Sequence, residues 1–136
     1  MITKIVNKFL LEDILHELIG GADMDEFNYL TSHDRDNEQE TKKIITDFIL
    51  PYYEFKSLKY KEIFKDSLAY FIKSEKLDFG RIMYSNLLPF ESPSKPINFF
   101  IWIWEVLYPN ENYLDFSEYK YIEKNDIHIL NRLQKN

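Results

Sequence analysis

The segment that most limits how this chain can fold is Ile97 to Tyr108, INFFIWIWEVLY. It has twelve residues, apolar apart from Asn98 and Glu105, bounded by Pro96 and Pro109. A run with no polar face has to be enclosed by the rest of the chain, and it falls short of the roughly 20 residues that a membrane-spanning helix needs. Its β-branched and aromatic residues favour a strand. Its length, and a proline at its front where a helix tolerates one, favour a buried helix. We read it as a helix and as the centre of the core. The remaining residues can supply the shell, because aromatics make up 17% of the chain, with ten Tyr and eleven Phe. A chain of 136 residues can bury about 68% of its unfolded surface without a disulfide or metal staple, so one globular domain over residues 1–136 is expected.

Helical spacing recurs on both sides of that run. Ile5, Val6, Phe9, Leu10, Ile14 and Leu18 share one side of a helix that would start near Thr3 and end at Gly20 and Gly21. Asp23 can cap a short helix with Met24, Phe27, Tyr29 and Leu30, before the polar stretch Thr31 to Glu40, read as an exposed loop or helix start. Ile44, Ile45, Phe48 and Ile49 predict a third helix, which Pro51 should stop or kink. Ser57 caps a fourth, with the clearest stripe: Tyr60, Ile63, Phe64, Leu68, Phe71 and Ile72. Asp78 caps a fifth over 79–88, with Ile82, Met83, Leu87 and Leu88 inward and Pro89 closing it. Phe90 to Pro96 reads as an extended connection, and two short helices fit Asn110 to Asn136, with Asp115 or Ser117 as cap. The expected fold is all-α: a compact single-domain bundle of about five to seven helices around a buried aromatic helix.

Catalytic chemistry finds little footing. The chain has no cysteine, which excludes a thiol nucleophile, a disulfide framework and thiolate metal sites. Neither a nucleophile elbow nor a Walker loop is present, and three glycines cannot build a dinucleotide fingerprint. Asp13, His16 and Glu17 have the helical spacing to share one face and offer a metal a carboxylate and an imidazole, but further ligands would have to come from elsewhere, and charged residues on the solvated side of an amphipathic helix are expected anyway. His33 stands beside Asp34 and Asp36, either of which could orient it for acid–base work; loop polarity explains it equally well. His128, between Ile127 and Ile129, reads as a surface or packing residue. Trp102 and Trp104 could form a ligand platform, although their place in the apolar run points to the core. Lys56, Lys59, Lys61 and Lys65 are interrupted by Glu54, Glu62 and Asp66, so they make no nucleic-acid stripe. No catalytic, cofactor or metal site is expected.

Charge placement is the anomaly. Glu12, Asp13, Glu17, Asp23, Asp25, Glu26, Asp34, Asp36, Glu38 and Glu40 fall within 29 residues, opposed only by Arg35. That stretch carries a formal charge of −9 and the other 107 residues carry +3. A field of one sign repels nucleic acid and lipid headgroups and attracts basic proteins. Part of it has a local explanation, since acids favour the first turn of a helix and Asn37 to Glu40 can be such a turn.

This acidic, cysteine-free, aromatic-rich profile, whose most distinctive string is Trp102-Ile103-Trp104-Glu105-Val106-Leu107-Tyr108-Pro109, resembles the immunity proteins that bacteria encode beside secreted or contact-delivered toxins. The resemblance covers the chain as a profile of length, charge and composition. It implies a cytoplasmic, non-enzymatic protein that binds one toxin domain, often a basic nuclease, and masks its active site, as in contact-dependent growth inhibition. The partner-binding residues would then be Asp23, Asp25, Glu26, Asp34, Asp36, Glu38 and Glu40, with Tyr29 or Tyr52 as desolvated anchors. Two competing readings share parts of this surface: a nucleic-acid-mimicking inhibitor of a host enzyme, of phage or regulatory type, and a small enzyme using His33 with Asp34 or Asp36. A scaffold or small-molecule module built on the aromatic run is a third.

Overall fold

The computed structural model of the chain describes residues 3–15, 34–85, 92–113 and 120–128. In order, these form β1 (Thr3–Val6), α1 (Phe9–Asp13), α2 (Glu38–Ile44), a π-helical turn (Ile45–Ile49), α3 (Leu50–Glu54), α4 (Leu58–Ser74), α5 (Phe79–Ser85), α6 (Ile97–Leu107) and β2 (Lys120–Glu123). The architecture is mostly helical with a small two-stranded sheet, so the all-α expectation needs correcting at both ends of the chain.

Thr3 to Val6 is extended rather than helical. It pairs in parallel with β2, Thr3 opposite Lys120 and Val6 opposite Glu123. The same pairing replaces one of the helices expected after Asn110. Asn7 locks the junction. It is fully buried, its backbone N–H donates to Ser67 Oγ on α4 at 2.8 Å, and its side-chain amide donates to the Asp126 carbonyl at 2.9 Å. Its Oδ1 accepts from the Phe9 N–H at 3.0 Å, which starts α1 where the strand stops. With its amide hydrogen-bonded in this way to α4 and to the residue 126 loop, Asn7 carries no unsatisfied polar group into the core.

α4 is the central helix. Ser57 caps it as expected, accepting from the Tyr60 N–H at 3.1 Å, and Tyr60, Ile63, Phe64, Leu68, Phe71 and Ile72 are all buried. Glu75, in the left-handed conformation (φ 53°), ends it. α4 packs against β1, α1 and α6. The apolar run is a helix, as read from its length, and it buries Phe99, Phe100, Trp102, Ile103 and Trp104. Burying each such side chain contributes about 1.5–3 kcal/mol. Trp104 is not left with a stranded donor, because its indole N–H reaches the Glu111 carbonyl at 2.8 Å.

Pro51 does not stop the third helix. Helical backbone runs unbroken from Glu38 to Glu54, and the turn just ahead of the proline widens to π geometry, Leu50 N–H bonding to the Ile45 carbonyl. A proline lacks the amide donor and clashes one turn back; placed at the start of a new α segment, with a wide turn before it, it meets neither difficulty fully. Asp78 caps α5 through the Arg81 N–H at 3.0 Å, and Ile82 and Met83 point inward. Gly80 has a packing reason, since a Cβ there would meet Pro96 Cγ at 3.3 Å. The helix expected around Asp23, the residues Leu87, Leu88 and Pro89, and the caps Asp115 and Ser117 lie outside the described residues.

Candidate functional site

The acidic segment is described from Asp34 onward, and every residue from Asp34 to Glu40 is exposed. Its shape follows from short polar side chains folding back on their own backbone. Asp34 Oδ1 accepts from the Asp36 N–H at 3.0 Å, and Asn37, the N-cap of α2, accepts from the Glu40 N–H at 3.0 Å. Glu40 reaches back to the Asp34 N–H at 3.1 Å. The reading of Asn37 to Glu40 as a helix start therefore holds, and Glu38 and Glu40 sit where the positive end of the helix stabilises them.

Asp36 fastens this turn to the connection ahead of α6. Its two oxygens accept from the Ser94 N–H at 2.8 Å and the Ser94 hydroxyl at 2.7 Å. Those two bonds, with help from Arg35, hold its carboxyl below the usual carboxylate range. Arg35 itself lies 3.9 Å from Asp36 and reaches the Ser92 carbonyl. Glu38 shares Lys42 with Glu105 of α6, at 3.3 and 2.8 Å. Burial opposes the charge on Lys42, yet the hydrogen bonds to Glu105 and Glu38 outweigh it and raise its ammonium above the ordinary range. The result is an acidic ridge of four carboxylates, with Arg35 and Lys42 as counter-charges and three backbone N–H groups held by its own side chains.

Other sequence candidates fall elsewhere. Asp23, Asp25, Glu26 and Tyr29 lie outside the described residues, as do His16, Glu17 and His33. Helical spacing predicts Asp13 on a solvated face; it is instead 2% exposed, and Oδ2 accepts from the hydroxyls of Tyr60 (2.7 Å) and Tyr52 (3.2 Å), with Lys56 Nζ at 3.9 Å. Burial, and then the Asp13 carboxylate, push the Tyr60 phenol far above its ordinary value, so it remains a donor. Tyr52 is half-buried, its ring covered by Lys56 at 4.0 Å and its hydroxyl turned to Asp13. Asp36, a candidate partner for His33, already gives both oxygens to Ser94. His128 is exposed, and Trp102 and Trp104 are core residues.

The lysines after residue 50 are mostly occupied. Lys61 lies over Tyr53, while Lys65 lies over Tyr108 and bonds Glu111 at 2.6 Å. Sequence reasoning misses the corner from α3 into α4, where Phe55 and Leu58, the first residue of α4, are 91% and 83% exposed. In sequence they are two more apolar residues beside a helical stripe. Only the path of the turn shows that both face solvent.

Comparison with protein-family models, with curated proteins and with solved structures gives no match to this chain. Among the described residues, no helix is long and apolar enough to cross a membrane.

Proposed function

We propose that the protein is a cytoplasmic immunity protein, non-enzymatic, that neutralises a basic toxin domain, a nuclease foremost, by laying an acidic surface over its active site. The observation that carries this reading is the ridge Asp34, Asp36, Glu38 and Glu40, exposed yet fixed in place by Ser94, Asn37 and its own backbone. A nuclease cleft is charged to receive phosphates, and carboxylates held at fixed positions compete for it with little ordering cost on binding. The chain's formal net charge of −6 speeds encounter with a positively charged partner.

The test is capture of partners from a lysate of the source organism, with salt titrated in the wash and the bound proteins identified by mass spectrometry. A single basic, toxin-like partner is expected, released as salt rises because exposed charges are screened. Replacing Asp34, Asp36, Glu38 and Glu40 together by Asn and Gln should weaken that complex by about tenfold or more while the chain stays folded. Unchanged affinity in that variant would move the interface away from the ridge.

A further inference from the structure

A cleft of about 760 Å³ opens between the end of α4, the start of α5 and the start of α6, separate from the acidic ridge except where Ser94 borders both. Its volume falls within the ~300–1,000 Å³ typical of small-molecule sites. The walls are apolar, from Ile72, Phe79, Ile97 and Ile101, and the cations on its lining are Lys73 and Lys95. Among the described residues no carboxylate pairs with either lysine; Lys73 rests over the Tyr121 ring at 5.5 Å. Both acids on the same lining are placed differently: Asp78 gives Oδ1 to the Arg81 N–H, and Glu75 is exposed at the end of α4. Burial draws the Lys73 ammonium below the ordinary lysine range, as expected for a cation losing water with no anion to replace it.

From the apolar walls and the two lysines that no described carboxylate neutralises, we infer that this cleft binds an amphiphile with an apolar body and a singly charged anionic head, such as a carboxylate. The body replaces water against Ile72, Phe79, Ile97 and Ile101, and the head supplies the lysines with a counter-ion. A doubly charged head is disfavoured, since the cost of taking it out of water grows with the square of its charge while the pull of the lysines, offset by Glu75 and Asp78 on the same lining, grows only in proportion to it.

Decanoate is a suitable probe, compared with decyl phosphate at alkaline pH, decanol and decyltrimethylammonium. Titration into the full chain, followed by calorimetry and by NMR of the isoleucine methyls, should give saturable decanoate binding below its micellar concentration. Ile72, Ile97 and Ile101 should shift, and the other three probes should bind several-fold more weakly. The double variant Lys73→Gln, Lys95→Gln should retain its melting temperature and lose about tenfold in decanoate affinity, the scale of one lost charge-assisted contact. Equal binding of decanol, stronger binding of decyl phosphate, methyl shifts away from the cleft, or no saturable binding each overturns the proposal. The methyl mapping uses the unaltered chain, so it decides even if the variant is impaired.

Discussion

The Tyr60 hydroxyl donates to Asp13 Oδ2 at 2.7 Å, joining α1 to α4 through a carboxylate that is almost wholly removed from solvent. Tyr52 adds a second donor from α3 and Lys56 a cation at 3.9 Å, so three parts of the fold converge on one acid. Removing the acceptor strands these donors in the interior. Asp13→Ala should cost about 3 kcal/mol, and Tyr60→Phe, which leaves the carboxylate its other partners, about 1.5–3 kcal/mol. Urea unfolding checks both. A loss below about 0.5 kcal/mol for Asp13→Ala would mean the cluster is solvated.

The tie between Asp36 and Ser94 should be visible in a carboxyl titration. The folded Asp36 carboxyl lies below the ordinary 3.8 because the Ser94 N–H and hydroxyl favour its ionised form. Its contribution to stability is therefore full above the unfolded value and is lost as pH falls through the folded one. Ser94→Ala removes the hydroxyl and keeps the N–H, so the Asp36 carboxyl should move part of the way back up, read by NMR. No movement would show that the hydroxyl bond is not made in solution.

Asp66 has the opposite sign. Burial on the inner side of α4 raises its carboxyl, against the pull of Lys4 at 3.8 Å, and Glu62 adds to the rise. The folded chain then holds this proton more tightly than the unfolded chain, so Asp66 costs stability above its folded value and the cost fades as pH falls toward the unfolded one. Asp66→Asn should be more stable than the parent at neutral pH, with the advantage shrinking in acid. Denaturation at the two pH values measures it; a variant destabilised at both would mean that the ion pair with Lys4 outweighs the cost of burial.

Phe55 and Leu58 make little contact with the fold, so Phe55→Ser and Leu58→Ser should each change stability by less than about 0.5 kcal/mol. Phe64→Ala, at a fully buried position on the inner face of α4, should cost about 3–5 kcal/mol. Thermal melts of the three variants give the comparison. A large loss at Phe55 or Leu58 would place that turn against another surface.

The helices with local signals can be read straight from the residues. α4 carries six apolar residues at helical spacing behind a serine cap, and the twelve-residue run between Pro96 and Pro109 is too long and too apolar to sit anywhere but inside. The exposure of Asp34 to Glu40 was legible for the same reason, since polar residues in unbroken succession have nothing to bury. Long-range contacts settle the remainder. Thr3 to Val6 has too few residues for its period to be read, and it becomes a strand because Lys120 to Glu123, far along the chain, offers the matching hydrogen bonds. Asp13 looks like a surface acid until Tyr52, Tyr60 and Lys56 arrive around it. Pro51 looks like a stop until the preceding turn widens to admit it. For the strand and the buried acid the deciding partner lies outside the local window, so its free energy is absent from any pattern of neighbouring residues and enters only when the chain closes on itself.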